Sequence, residues 1–273
     1  MSSHFNNQTI LVTGGAGFIG SHLCEALLKQ NATVISLDNY CDFYDPKIKA
    51  NNIKRIESHA SSGQFINLTG DIRDDKTYQE LLKPYEANIS QVVHLAAMAG
   101  VRPSLENPTL YMDVNINGTL KLAEWMKQHK IPKLVFASSS SVYGSRDNAP
   151  FKESEDTSKP ISPYAATKIM GENLLHTYSY LYGMQITALR FFTVYGPGQR
   201  PDLAIHKFAK LMAKNQTIPV FGDGTARRDF TYIDDNVAGI MAGLDHFETA
   251  KNQTYNLAFG EGTTILELAE TVK

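Results

Sequence analysis

Cysteine, net charge and long apolar runs are all scarce in this chain of 273 residues. The chain has only two cysteines, Cys24 and Cys41, so a disulfide framework is not expected. A formal net charge of -2 gives no basis for general binding to nucleic acid or to a membrane surface. No apolar run is long enough to span a bilayer, and the polar N-terminal residues lack a signal-peptide pattern. We therefore expect a cytoplasmic protein with no nucleic-acid partner and no membrane partner.

The segment that follows the N-terminus combines a strand, a glycine-rich turn and a helix. Residues 9–13 form a β-branched run that is typical of a buried strand, and Gly14, Gly17 and Gly20 lead from it into a helical pattern. In such a turn, backbone N–H groups can approach a pyrophosphate, and the helix N-terminus faces its charge. The spacing differs from the simplest dinucleotide fingerprint, and a tight turn without a ligand is the alternative explanation.

Acidic and polar side chains follow the next two predicted strands. Asp38 and Asn39 end a strand at about the twentieth position after the glycine turn, where an acidic residue binds a ribose 2′-hydroxyl and favours NAD over NADP. Asp71 follows the third strand, where it would either bind an adenine amino group or cap a helix. Residues 41–63 form a polar excursion, for which we expect a short helix over residues 48–55.

A fourth strand is predicted over residues 91–97, whose small residues permit close approach of a cofactor. His94 lies inside this apolar run and is expected to be a hydrogen-bonded core histidine. Arg102 is placed in a loop just past the strand, where a phosphate contact and a solvated side chain are equally consistent with the sequence. Asn115 lies in the next predicted helix, from Asn107 to Trp125, and indicates a polar bond to the backbone or to water.

The middle of the chain carries the candidate chemistry. A strand over residues 133–137 leads into four serines at 138–141, at the edge where open α/β sheets bind their ligands. A helix beginning after Ser162 places Tyr164 and Lys168 on one face. A neighbouring cation favours phenolate, so Lys168 is expected to lower the pKa of Tyr164 and make it a base. Taken alone, a loop and a solvated helix face would explain these patterns, but their place after a dinucleotide-binding signature favours catalysis.

Strands and helices alternate through most of the chain, which predicts an α/β protein with a doubly wound parallel sheet. The periodicity weakens in the last third, where we expect a smaller mixed α/β lobe that binds the substrate. Helices are predicted in this lobe near 205–213 and 236–244. The expected division is residues 1–190 for the dinucleotide-binding domain and residues 191–273 for the lobe.

In combination, these motifs resemble the extended short-chain dehydrogenase/reductase family, and more closely its nucleotide-sugar epimerases and dehydratases. The likeness covers nearly the whole chain and rests on Thr13-Gly14-x-x-Gly17-x-x-Gly20, the Ser139 region, Tyr164-x-x-x-Lys168 and Arg228-Asp229. The resemblance implies a Rossmann-like fold, tightly held NAD, and a homodimer formed by the helices after Asn107 and Ser162. It also implies that Ser139, Tyr164 and Lys168 are the catalytic residues. Arg228 would bind the nucleotide diphosphate.

The residues expected to hold NAD follow the first strands or begin the helices after them. They are Gly14, Gly17, Phe18, Ile19, Gly20, Asp38, Asn39, Asp71, Ile72, Leu95, Ala96, Ala97, Asn115, Tyr164 and Lys168. The residues expected to hold the UDP-sugar carry hydroxyl or guanidinium groups. They are Arg102, Ser139, Ser140, Ser141, Thr193, Arg200 and Arg228. No metal site is expected.

A few positions distinguish the subfamilies that the chain resembles. Ser140 and Ser141 stand where related dehydratases carry an Asp-Glu pair and where UDP-glucuronate decarboxylases carry a glutamate at the second position. Thr193 stands where general members have asparagine. The segment from Phe191 to Asp202 resembles UDP-glucuronate 4-epimerases, in which the threonine and arginine hold the sugar carboxylate. Because arginine can bind a carboxylate through two parallel hydrogen bonds, Arg200 suits this role.

The resemblance therefore implies 4-epimerisation of UDP-glucuronate to UDP-galacturonate through a 4-keto sugar. Tyr164 would take the proton of the sugar 4-hydroxyl while Ser139 hydrogen-bonds the same oxygen and NAD⁺ accepts the hydride. The 4-keto sugar would then rotate in the site, and its ketone would be reduced on the other face. Thr193 and Arg200 would hold the carboxylate of the β-keto acid out of the alignment that releases carbon dioxide.

Two alternatives to this function remain. One is a neutral UDP-hexose 4-epimerase that acts on UDP-glucose and UDP-galactose or on N-acetylhexosamines, in which Arg200 would be a loop charge. The other is a non-catalytic protein that binds NAD or a nucleotide sugar. Related enzymes also continue beyond the position of Lys273 with a tail that helps to close the substrate lobe, so a chain ending there is expected to bind nucleotide weakly or to be inactive.

Overall fold

The central element of the fold is a seven-stranded parallel sheet. The computed structural model describes residues 5–146, 149–220 and 222–273. The strands of this sheet, numbered in chain order, are β1 Thr9–Thr13, β2 Thr33–Asp38, β3 Phe65–Thr69, β4 Ile89–His94, β5 Lys133–Ser139, β6 Gln185–Phe191 and β9 Gln253–Leu257. Their spatial order is β3-β2-β1-β4-β5-β6-β9, and every pair is parallel. The predicted doubly wound sheet is confirmed, and its order reverses beside β1, where such sheets bind ligands.

A second, smaller sheet has three strands, which are β7 Thr193–Tyr195, β8 Arg227–Tyr232 and β10 Gly262–Thr264. β8 pairs in parallel with β7 and antiparallel with β10, so the strands of this smaller sheet run in both directions. The last third of the chain nevertheless contributes to both sheets, because β9 pairs with β6 in the central sheet. The domain boundary at residue 190 stays a prediction.

Helices flank the sheets. They are α1 Phe18–Lys29, α2 Pro46–His59, α3 Val101–Glu106, α4 Pro108–Met112, α5 Gly118–Gln128, α6 Pro163–Tyr182, α7 Ala204–Met212, α8 Ile233–Asp245, α9 Phe247–Ala250 and α10 Ile265–Val272. Side chains alternate between the two faces of a strand, so Ile10 and Val12 pack in one buried cluster with α1 and α8. Leu11 packs in a second buried cluster with α5 and α6. Because both faces are covered, the inner strands β1, β2, β4 and β5 are almost continuously buried.

Two predicted elements have different bounds in the structure. The helix expected over 48–55 is the longer α2, because Pro46 occupies its first position and the Asp45 carboxylate accepts a hydrogen bond from the Lys47 N–H at 3.0 Å. β4 ends at His94, so residues 95–97 lie beyond the strand and not within it. They remain at the sheet edge that faces the glycine turn.

Three further placements differ from the predictions. Arg102 lies in α3 and not in a loop. Ser138 and Ser139 are the last residues of β5, and a 3₁₀ turn over Ser140–Tyr143 follows them. The helix expected from Asn107 to Trp125 is divided into α4 and α5 by a π-helical turn over Asp113–Asn117. These differences move local boundaries without changing the order of the strands.

Across the described ranges, every helix is too short or too polar to cross a membrane. The cytoplasmic location stays a prediction.

Candidate active site

The glycine turn packs tightly against the backbone beyond β4. Gly14 has a φ of +73°, and a Cβ at this position would lie 2.8 Å from the backbone nitrogen of Ala96. A Cβ on Gly20 would lie 2.2 Å from the carbonyl oxygen of Gly14. Both positions therefore require the absence of a side chain. The turn leads directly into α1, whose N-cap is Gly17 and whose first residues are Phe18 and Ile19, so the residues present fit a pyrophosphate at a helix N-terminus.

Asp38 lies buried at the carboxyl end of β2, where a ribose was predicted. Its Oδ1 atom forms a 2.9 Å ion pair with Lys49 Nζ of α2 and accepts a 2.9 Å hydrogen bond from the Tyr40 N–H. Oδ2 accepts no hydrogen bond from the described part of the chain, so one carboxylate oxygen can still accept a bond from a ribose hydroxyl.

Sequence reasoning missed the contribution of α2 to this region. Besides Lys49, this helix supplies Asn52, whose Nδ2 atom donates to the carbonyl of Ala16 in the glycine turn at 3.0 Å. The two residues are three positions apart and therefore share one face of the helix. The spacing of Lys49 and Asn52 in the sequence was the pattern that could have identified this polar face.

Asn39 and Asp71 meet at the ends of β2 and β3. Asn39 Nδ2 donates to Asp71 Oδ2 at 2.8 Å, and the Arg73 side chain binds both oxygens of Asp71 at 2.9 and 2.8 Å. Arg73 also forms a 2.7 Å ion pair with Asp113. Hydrogen bonds from the Arg73 side chain lower the pKa of Asp71 to about 2. The structure thus brings together Asn39 and Asp71, both predicted to bind the cofactor, and adds Arg73, with Ile72 buried beside them.

His94 is the hydrogen-bonded core histidine that the sequence predicts. Its Nδ1 and Nε2 atoms lie 2.7 Å from Thr13 Oγ1 and 2.9 Å from Thr119 Oγ1. Burial, together with the nearby charge of Lys168, lowers the pKa of His94 to about 3. The imidazole is therefore neutral at physiological pH and serves as a structural link between β4, β1 and α5.

We expect His94→Gln to weaken the dependence of stability on acid pH. The folded-state pKa of His94 is depressed from 6.5 to about 3, so its favourable contribution is complete above pH 6.5 and is lost as the pH falls. Between pH 6.5 and about pH 4.5, the variant should lose about 2 kcal/mol less unfolding free energy than the native chain. Urea unfolding at both pH values measures this difference, with exposed His176→Gln as control. Parallel losses in the native chain and in His94→Gln would contradict the assignment.

Ser139, Tyr164 and Lys168 converge at the carboxyl end of β5. Lys168 Nζ donates to the Ala137 carbonyl at 2.7 Å and lies 5.8 Å from the centre of the Tyr164 ring. Ser139 lies beside the Tyr164 phenol and opposes the rise in the pKa of Tyr164, while Ser139 Oγ donates to Ser141 Oγ at 3.1 Å. Their approach depends on the start of α6, where Ser162 Oγ accepts the Ala165 N–H at 3.1 Å and Pro163 takes the first helical position. The geometry brings together all three predicted catalytic residues.

The pKa of Tyr164 differs from the expectation that Lys168 would lower it. Burial of the phenol raises this pKa and outweighs the opposing effects of the Ser139 side chain and the Arg200 charge. Lys168 is itself buried, which lowers its own pKa to about 8, while the charge of Glu172 opposes that change. The groups of the chain thus keep Tyr164 protonated near neutral pH. Further positive charge must reach the phenol before it can act as a base.

Two neighbours support the catalytic helix. Asn115 Oδ1 accepts the Met98 N–H at 2.7 Å, and Nδ2 donates to the Met98 carbonyl and to Thr167 Oγ1, both at 3.0 Å. Asn115 therefore ties the segment beyond β4 to α6, in agreement with a polar bond to the backbone. Tyr111 lies edge-on to Tyr164, with ring centres 6.2 Å apart. No local pattern pointed to Tyr111, whose role comes from packing alone.

Arg200 reaches this site from the loop after β7. Its positive charge opposes the rise in the pKa of Tyr164 that burial causes, and its Nη2 atom lies 3.9 Å from where a Cβ on Gly100 would be. Asp202 binds the guanidinium with two hydrogen bonds, Nε to Oδ1 at 3.0 Å and Nη2 to Oδ2 at 2.7 Å. Sequence reasoning identified Arg200 but missed Asp202, although the two are separated by only one residue.

The remaining substrate candidates divide into two groups. Ser140 and Ser141 are half-buried in the 3₁₀ turn that follows β5, and Thr193 is half-buried at the start of β7. Arg102 and Arg228 are exposed, and Arg228 Nη1 donates to the Arg227 carbonyl at 2.7 Å. The phosphate contacts of these two arginines stay predictions.

Comparison with known proteins places this geometry in a family. The model of the NAD dependent epimerase/dehydratase family matches residues 10–258. The chain belongs to this family. The resemblance drawn from the ordered sequence motifs is therefore confirmed.

Relatives in the epimerase/dehydratase family are similar to the chain over most of its length. UDP-glucuronate 4-epimerase 4 of Arabidopsis thaliana is 47% identical over 247 residues, covering 89% of this chain and 55% of the relative. UDP-glucuronate 4-epimerase of Thermodesulfobacterium geofontis is 47% identical over 237 residues, covering 86% of this chain and 71% of the relative. The chain thus spans about half the length of the Arabidopsis thaliana relative.

A solved structure in this family superposes closely. UDP-glucuronic acid 4-epimerase from Bacillus cereus, in complex with UDP-glucuronic acid and NAD, matches with a TM-score of 0.88 and 39% identity. The match covers 97% of this chain and 82% of that one.

Proposed function

We propose that the chain is an NAD-dependent 4-epimerase that interconverts UDP-glucuronate and UDP-galacturonate. The observation that carries the proposal is the convergence of Ser139, Tyr164 and Lys168 at one sheet edge, with the Arg200 guanidinium close enough to influence Tyr164. The relatives named UDP-glucuronate 4-epimerases support the same substrate.

The first half of the chain fits NAD. The turn at Gly14 and Gly20 would hold the pyrophosphate, Asp38 Oδ2 would accept a ribose hydroxyl, and the pair of Asn39 and Asp71 would lie at the adenine. When bound, NAD supplies the hydride acceptor and donor and, in its oxidised form, a positive charge. This positive charge would lower the raised pKa of Tyr164 and so favour its phenolate form.

The catalytic residues then have separate tasks. Tyr164 would remove the proton of the sugar 4-hydroxyl and later return one to the epimerised oxygen. Ser139, which lies beside the Tyr164 phenol, would hold the same sugar oxygen in line with the phenol. Lys168 is fixed by the Ala137 carbonyl and keeps a buried ammonium beside the Tyr164 ring. Together they allow a 4-keto sugar to form and to be reduced again on either face.

The sugar carboxylate must be restrained during this reaction. A 4-keto glucuronate is a β-keto acid, which loses carbon dioxide when its carboxylate bond aligns with the ketone. Arg200 and Thr193 would hold the carboxylate out of that alignment, since a guanidinium binds a carboxylate in a fixed plane. This restraint separates a 4-epimerase from a decarboxylase built on the same catalytic residues.

Proton NMR of the chain incubated with UDP-glucuronate and NAD⁺ tests the proposal. UDP-galacturonate without UDP-pentose is the expected product. A UDP-pentose product would indicate a decarboxylase and would contradict the restraint by Thr193 and Arg200. Binding of NAD and UDP-glucuronate without any turnover would support a non-catalytic binding protein.

One observation favours a second candidate, a neutral UDP-hexose 4-epimerase. Asp202 already compensates the charge of Arg200, so the guanidinium does not require a substrate carboxylate. In that case UDP-glucose or its N-acetylated counterpart should be converted faster than UDP-glucuronate. Parallel rate measurements with the three substrates distinguish the two candidates.

We also propose that two copies of the chain pair through α4, α5 and α6. Met112, Leu120 and Met170 are exposed by 38%, 38% and 40% on these neighbouring helices, and a second copy would cover them. We expect Met170→Asp to shift the chain from dimer to monomer in sedimentation velocity. Leu266→Asp, a change of the same kind on α10, should leave the dimer intact. A native chain that sediments as a monomer would contradict the pairing.

A further inference from the structure

The ion pair between Arg200 and Asp202 has the geometry of a fixed support. Both oxygens of Asp202 are used, one on Nε and one on Nη2, so the two planar groups lie side by side. The Arg200 side chain is only 17% exposed, whereas that of Asp202 is 40% exposed. The guanidinium is therefore more deeply buried than the carboxylate that holds it.

Other contacts fix the same guanidinium and its loop. The ring of Phe43 covers the guanidinium, with 5.2 Å between Cζ and the ring centre. The loop is held by the buried Gln199, whose Nε2 atom donates to the Val194 carbonyl at 3.0 Å and whose Oε1 atom accepts the His206 N–H at 3.2 Å. Arg200 is thus restrained along one edge, on one face and at its backbone.

A guanidinium has five N–H donors, and Asp202 uses two of them. Among the residues that the structure describes, no partner uses either hydrogen of Nη1 or the second hydrogen of Nη2, and these donors together form an end-on edge suited to another carboxylate. The neighbours of that end of the side chain are Gly100 and, electrostatically, Tyr164 and Tyr111. The edge left by Asp202 is therefore the one available to the reacting sugar.

We propose that Asp202 is a positioning residue that sets the orientation of Arg200 and thereby the selectivity of the enzyme for epimerisation over decarboxylation. The inference rests on the proposed function. Asp202 does not touch the substrate in this scheme; it acts by keeping the end-on edge of Arg200 directed at the sugar carboxylate. If Arg200 could rotate, the carboxylate of the β-keto acid would be free to reach the alignment that releases carbon dioxide.

Asp202→Asn tests the proposal in the full chain with NAD⁺. An amide keeps the size of the side chain but offers only one oxygen acceptor, so one of the two bonds to Arg200 is lost. We expect KM for UDP-glucuronate to rise about tenfold, with a smaller change in kcat, because a charged hydrogen bond that orients the anchor is lost. We also expect UDP-pentose to appear beside UDP-galacturonate in the NMR spectrum. Binding of UDP-glucose, which has no carboxylate, should not change in calorimetry.

The matched control is Asp75→Asn, which removes a 2.7 Å ion pair with Lys121 on an exposed surface and should leave all these quantities unchanged. In an Arg200→Met background, Asp202→Asn should add no further rise in KM, because the guanidinium that Asp202 orients is no longer present. An additional rise in that background would overturn the proposal.

The remaining outcomes separate this inference from the proposed function. Native turnover of UDP-glucuronate with an unchanged KM and product ratio in Asp202→Asn overturns only the positioning role. A lower KM in the variant would make Asp202 a competitor of the substrate and also overturns it. A native chain that neither binds nor converts UDP-glucuronate overturns both proposals.

Discussion

Tyr164→Phe is expected to lower kcat for UDP-glucuronate epimerisation by about 10³-fold or more, because it removes the group that moves the proton of the sugar hydroxyl. The ring itself should remain in place. Tyr164 packs edge-on against Tyr111 and beside the Lys168 ammonium, and phenylalanine preserves both contacts. The variant should therefore fold normally and still bind NAD, while each turnover stops before the sugar is oxidised.

Three measurements separate this loss of chemistry from a loss of structure. They are the rate of product formation by NMR, the NAD content of the purified protein and the thermal midpoint, of which only the first should change. Tyr180→Phe is the matched control, since the Tyr180 side chain is 83% exposed and the same hydroxyl is removed. Activity near the native level in Tyr164→Phe would eliminate the tyrosine as the base and with it the proposed mechanism.

Local patterns predicted the framework of this protein well. The strand over 9–13 and the glycine turn after it were recognisable because buried parallel strands are apolar runs and because Gly14 and Gly20 have no room for a side chain. The start of α6 was equally clear, since Ser162 caps it and Pro163 follows. These features depend on neighbours in sequence, so they can be inferred from the sequence.

Contacts between distant segments could not be predicted in the same way. Lys49 pairs with Asp38 across a loop whose course cannot be predicted from the sequence. Tyr111 contacts Tyr164 only because α4 packs on α6. The rise that burial causes in the pKa of Tyr164 was not predicted for a related reason. The spacing to Lys168 is local, whereas the burial that raises the pKa arises from the folded surroundings. The chemistry of the site was thus more visible in the sequence than its energetics.

Arg190→Met is expected to reduce the free energy of unfolding by about 3–5 kcal/mol, because it leaves a carboxylate unpaired beneath the catalytic residues. Arg190 is buried on β6 and binds both oxygens of Glu172, with Nε at 3.0 Å and Nη2 at 2.8 Å. The Glu172 side chain also accepts a hydrogen bond from Ser138, and Arg190 Nη1 donates to the Tyr143 hydroxyl at 2.9 Å. Removing the guanidinium therefore deprives the Glu172 carboxylate and the Tyr143 hydroxyl of a partner at once.

Urea unfolding of three variants tests whether the loss comes from the unpaired charge. Arg190→Met combined with Glu172→Leu should lose less stability than Arg190→Met alone, since replacing both members of a buried pair leaves no uncompensated carboxylate. Lys121→Met breaks a 2.7 Å ion pair of exposed side chains and should cost no more than about 1 kcal/mol. A loss in Arg190→Met as small as that in Lys121→Met would show that the buried pair contributes little. The charge network below the site would then have to be explained by its influence on Lys168, whose pKa the Glu172 carboxylate raises against the effect of burial.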